Sequence, residues 1–88
     1  LAILVEFSEI EKEILLTLYK NSKTIKQLCL SLDLSYSRFN YYFRKLKSKG
    51  LVLGLNSFYD GRQKICFLTE EAEQLLSIMN PDELLKYL

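Results

Sequence analysis

Three helix starts stand close together in the N-terminal half of the chain. Ser8 lies three residues before Glu11, Thr24 lies three before Gln27, and Ser35 opens the next periodic run. The first two pairs are capping boxes. In each, the hydroxyl accepts the third backbone N–H, and the acid or amide side chain reaches back to the cap's own N–H. Ser35 is a favoured N-cap by itself. Only "NSK" breaks the first helix and only "LDLS" joins the second to the third, so the connections are tight. A chain with this layout has little choice but to pack three helices around one core.

Apolar spacing agrees with the caps. Ile10, Ile14, Leu15 and Leu18 predict a first helix from about Ser8 to Lys20, with Phe7 at the staple position and Glu9, Glu11 and Glu13 as a solvated face. Ile25, Leu28, Cys29 and Leu32 give a short second helix. The third runs from Ser35 to about Lys49, where Gly50 offers a left-handed C-cap. "LVLGLNSF" and "KICFLT" are β-prone runs joined by "YDGRQ", whose Asp60-Gly61 is a strong turn signal. They predict a two-stranded hairpin. Thr69 caps a further helix with Glu70 and Glu71 in its first turn, and with Ala72, Leu75, Leu76 and Met79 along its apolar side. Asn80-Pro81 and Glu83 start a last short helix, edged by Leu84, Leu85 and Leu88. The opening "LAILVEF" reads equally as a short strand or as an extension of the first helix. It is apolar throughout and needs a cover, from the domain or from a second copy.

The element order is that of a winged helix-turn-helix: an α+β fold, mainly α. It is expected as a single domain over 1–88, with a three-helix core at 8–50, a wing at 51–68 and C-terminal helices at 69–88. Eighty-eight residues support one core but no deep, walled pocket. No apolar run approaches the roughly 20 residues of a membrane span, and "LAILV" is too short for a secretory h-region. A cytoplasmic protein is expected. The first residue is not Met, as in a fragment of a longer chain.

A formal charge of +1 hides a strong asymmetry. Residues 1–33 carry five acids against four bases, and residues 65–88 carry five acids against Lys86. Between them, Arg38, Arg44, Lys45, Lys47, Lys49, Arg62 and Lys64 face Asp60 alone, a net of +6. An anionic partner is drawn to that middle third.

"TIKQLCLSLDLSYSRFNYYFRKLKSKGLV" resembles the helix-turn-helix of MarR and related ArsR-like winged-helix regulators. Those carry a short helix, "LxLS", a recognition helix and a Lys/Arg-Gly-Leu-Val exit, here Lys49-Gly50-Leu51-Val52. Asp60-x-Arg62 followed by Leu68-Thr69-Glu70-Glu71 is similar to the family's "DxR…LTxxG" wing pattern, with Ala72 in place of the Gly. Asp33 stands where the turn often has Gly, and Asp tolerates left-handed geometry better than most residues. The likeness covers roughly residues 8–79. It implies a transcriptional regulator that binds double-stranded DNA as a homodimer. "LAILVEF" and the Leu84/Leu85/Leu88 edge are the candidate dimer surfaces.

On a helical wheel, Phe39, Tyr42, Phe43 and Leu46 fall in one arc of roughly 100°, the width of a core-facing stripe. They are expected to pack on Leu28, Cys29 and Leu32. The outer arc carries Ser37, Asn40, Tyr41, Arg44 and Ser48, with Tyr36 in the first turn. Tyr36, Ser37, Asn40, Tyr41 and Arg44 are the candidate base-contacting residues. Asn suits adenine and Arg suits guanine because each side chain can form two bonds to that base edge. Thr24, Ser35, Arg38, Lys45, Lys47 and Lys49 are the candidate phosphate-backbone contacts. In the wing, Tyr59, Arg62 and Lys64 are expected on backbone or minor groove, Arg62 best placed for a narrow groove.

Other chemistries have little support. The chain has no histidine, no Gly-rich phosphate loop and no recognisable nucleophile context, so neither catalysis nor a metal or other cofactor is expected. Cys29 and Cys66 read as two buried thiols, and a bridge between them requires that the fold bring them together. Two rivals share the same fold. One is a protein-interaction module of a replication, transcription or sorting assembly, and the other is an RNA-binding winged helix.

Overall fold

The computed structural model describes residues 7–19, 21–56 and 64–78. Its elements are α1 (Glu9–Leu18), β1 (Lys23–Thr24), α2 (Ile25–Leu32), α3 (Tyr36–Ser48), β2 (Val52–Asn56), β3 (Lys64–Leu68) and α4 (Glu70–Ser77). The helix starts are those the caps predict. Ser8 and Thr24 each close a full capping box, and Ser35 Oγ accepts the Arg38 N–H at 3.3 Å. These bonds occupy N–H groups that the first helical turn would otherwise leave open.

The helix exits follow the same logic. Gly50 adopts φ +74°, the Gly50 N–H donates to the Lys47 carbonyl at 3.0 Å, and the Leu51 N–H donates to the Leu46 carbonyl at 3.1 Å. That pair of bonds is a Schellman ending, and it turns the chain from α3 into β2. At the turn between α2 and α3, Asp33 takes the left-handed conformation, with φ 54° and ψ 49°. The Leu34 N–H donates to the Cys29 carbonyl at 2.9 Å, so Asp33 fills the position where glycine is usual.

The two expected wing strands, β2 and β3, pair antiparallel, and a third that was not expected joins them: the order is β1-β3-β2, with Lys23 opposite Cys66 and Gly54 also opposite Cys66. Lys23-Thr24 has no strand signature; it is a two-residue strand directly before α2, paired with Cys66 and Ile65 of β3. Glu11 does not belong to a solvated face. It is buried, while Glu9 is exposed and Glu13 half-buried.

The core lies between the helices and the inner face of the sheet. Ile14, Leu15, Leu16 and Leu18 of α1 meet Leu28 of α2, Phe39, Phe43 and Leu46 of α3, and Val52, Cys66 and Leu68 of the sheet. Phe39 and Phe43 stack with centroids 5.2 Å apart. Tyr42 departs from the expectation: it is half-buried at the core margin and meets Tyr41 edge-on at 5.0 Å. Ala72 and Leu76 of α4 are buried, as their spacing predicts. The Thr69 hydroxyl donates to the Gly50 carbonyl at 2.8 Å and accepts the Ala72 N–H at 3.2 Å, which ties the start of α4 to the exit of α3. The expected helix after Asn80, the "LAILVE" segment, Met79 and the hairpin tip lie outside the described residues.

Candidate nucleic-acid interface

Helix α3 divides its side chains between two tasks. Phe39, Phe43 and Leu46 anchor it in the core, and this fixes which residues must face outward. Tyr36, Ser37, Asn40, Tyr41 and Arg44, the five candidate base contacts, line one open groove along the outer side of the helix, together with Lys45 and Ser48. Tyr36 and Tyr41 are 61% and 55% exposed, values at which the core cannot account for either ring. Ser37 and Arg44 are exposed and Asn40 is half-buried.

The groove carries a charge that its own tyrosine steadies. Lys45 Nζ sits 4.6 Å from the centroid of the Tyr41 ring. A hydrogen bond with Tyr41 is the main reason its ammonium binds its proton more tightly than usual. Lys45, a candidate backbone contact, thus lines the same groove as the candidate base contacts. Arg38 and Lys47 are exposed beside the strip, and Ser35 is exposed at the helix start. The Thr24 hydroxyl is half-buried and accepts the Gln27 N–H at 3.1 Å.

Lys49 lies apart from this group. Its Nζ is 3.8 Å from Glu11 Oε2 and 4.4 Å from the centroid of the Phe7 ring. Phe7 sits at the staple position, but the residue four into α1 is Lys12, so the ring turns to the core margin and to Lys49 instead. Sequence reasoning missed this partnership. The box signature showed that Glu11 points back over the start of α1, but nothing local shows that the end of α3 lies there.

In the wing, Lys64 is exposed at the start of β3, opposite Asn56. Its stem lies across Gly54, where an added Cβ would come within 2.9 Å of Lys64 Cδ. Tyr59 and Arg62 lie outside the described residues. Among the described residues no group of three potential metal ligands exists, and no helix is long and apolar enough to cross a membrane. Cys29 and Cys66 are both free thiols, and only Cys66 is buried; Cys29 is half-buried, against the expectation of two buried thiols. Burial raises the pKa of each, and that of Cys66 reaches about 11, with the neighbouring Cys29 thiol adding to the effect.

Solved structures share this fold at low sequence identity. Reduced AbfR bound to DNA superposes with a TM-score of 0.74 at 24% identity, covering 94% of this chain and 58% of its own. The adhesin competence repressor AdcR of Streptococcus pyogenes gives 0.76 at 22%, covering 86% and 57%. A ZitR variant of Lactococcus lactis gives 0.76 at 21%, covering 81% and 49%. The chain therefore spans about half to three-fifths of the length of these proteins. Among curated proteins none matches it significantly in sequence. The family model for winged helix-turn-helix DNA-binding domains matches residues 7–52, more than half of the chain. That match runs from Phe7 through the groove-bearing helix to the start of β2, so the chain belongs to the winged helix-turn-helix DNA-binding family.

Proposed function

We propose that the chain binds double-stranded DNA sequence-specifically, as the DNA-reading part of a dimeric, MarR-like transcriptional regulator. One observation carries this reading: five side chains able to contact bases share one outward groove on α3, with the core fully supplied by the opposite side. In the proposed complex α3 enters the major groove. Asn40 pairs with adenine, Arg44 pairs with guanine, and the two tyrosines pack on thymine methyls or donate to phosphate. Arg38, Lys45 and Lys47 hold the phosphates, with Ser35 and Thr24 near helix starts. Lys64, with Arg62 and Tyr59 at the hairpin tip, follows the backbone or the minor groove. AbfR, which shares the fold, has been solved bound to DNA. Catalysis has no part in this reading.

The experiment is duplex binding as salt is varied. Each neutralised phosphate contributes about −0.9 to the slope of log K against log salt. Three or more cations on α3 and the wing should therefore give a steep loss of affinity with salt. Absence of binding at low salt would overturn the proposal. A second reading, a protein-interaction module, draws on Leu53 and Leu55, which point outward from β2 at 43% and 61% exposure. It becomes the better account only if that DNA test fails.

A further inference from the structure

A buried carboxylate is left unexplained by the DNA reading. The Glu11 side chain is only 6% exposed, and its two oxygens have different surroundings. Oε1 accepts the Ser8 N–H at 3.2 Å and the Ser8 hydroxyl at 3.0 Å, completing the capping box. Oε2 is buried and accepts no hydrogen bond, and its charge faces Lys49 Nζ at 3.8 Å. Capping alone does not require that second oxygen to be charged, since glutamine serves equally at this position of a capping box. Lys49 sits at the C-cap of α3, and the same ammonium lies over the Phe7 ring at 4.4 Å. Two elements distant in sequence are thus joined at one point: the entry of α1 and the exit of the groove-bearing helix.

We propose that Glu11 is a positioning residue for DNA binding, acting through Lys49 to hold the C-terminal turn of α3 against α1. Resting on the DNA reading above, this removes Lys49 from the phosphate contacts and gives it to the domain. Coulomb attraction at this separation is strong where one partner is out of water, and an unpaired carboxylate there would carry a large desolvation cost. The pair therefore keeps α3 at one tilt relative to the core, and the groove residues inherit that tilt.

The test compares Glu11→Gln, Lys49→Gln and the double variant with the wild-type chain, measuring duplex affinity and its salt slope. Glu11→Gln keeps the acceptor for Ser8 while removing the charge. Each single variant should weaken binding by roughly threefold to tenfold on every sequence, and the double variant should be no weaker than either. The salt slope should stay at the wild-type value throughout, because no phosphate contact is lost. Lys49→Arg should restore most of the affinity. A slope reduced by about 0.9 in Lys49→Gln, with Glu11→Gln binding as the wild type or tighter, would overturn the inference and return Lys49 to the backbone contacts. Additive losses in the double variant would overturn it as well. Failure of the wild-type chain to bind duplex at low salt would instead overturn the DNA reading itself.

Discussion

Gly50 and Asp33 occupy the same left-handed conformation at two helix ends, and only one of them is a glycine. A Cβ added at Gly50 would meet nothing within 4 Å, so the cost of a side chain there is purely conformational. Gly50→Ala should destabilise the domain by about 1–2 kcal/mol, read by denaturant unfolding, with no change in the packed core. Cys66 supplies a second prediction at this scale. Its ordinary pKa is 9.0, and burial raises it to about 11 in the folded chain. Below the lower value both folded and unfolded states keep the proton, and the thiol's contribution is constant. Between the two values the unfolded chain loses its proton while the folded chain keeps it, so stability falls as pH rises through that window. Cys66→Ala should flatten the alkaline fall in the unfolding midpoint relative to the wild type. An identical fall in both proteins would show that other groups cause it.

At the scale of elements, α3 packs on the core with one face and, in the proposed complex, reads DNA with the other. The groove assignment predicts two different losses. Arg44→Ala should cost about 1–3 kcal/mol on the preferred sequence and relax the preference at one base pair. Lys47→Ala should weaken all sequences alike and lower the salt slope by about 1. Competition binding across a set of operator variants separates the two outcomes, and equal behaviour would remove Arg44 from base reading. The two faces of α3 were legible in the sequence because helical spacing alone sorts Phe39, Phe43 and Leu46 from Asn40, Tyr41 and Arg44. The helix starts were legible for a similar reason, since each cap and its partner lie three residues apart. What could not be read were relations between distant segments. Lys23-Thr24 becomes a strand only because β3 lies beside it. Glu11 looks like one of three surface acids until the exit of α3 covers it. Tyr42 was assigned wholly to the core because a wheel gives direction but not depth.

In the proposed complex the described residues offer DNA a narrow reading surface, the groove on α3 and the start of the wing. A single domain of this size contacts few base pairs, and helix-turn-helix proteins extend their reach by placing two copies on half-sites about 34–36 Å apart. The apolar "LAILVE" and the Leu84/Leu85/Leu88 edge lie outside the three-helix core in sequence, and a second copy would give both a cover. Burying them between chains would remove apolar surface from water and would double the number of phosphates neutralised. Binding should then be steep in protein concentration, and footprints should span an inverted repeat rather than one half-site. Light scattering should report about twice the 10.3 kDa of one chain. A mass of one chain at high concentration, with protection of one half-site only, would remove the dimer and leave α3 as a stand-alone reader.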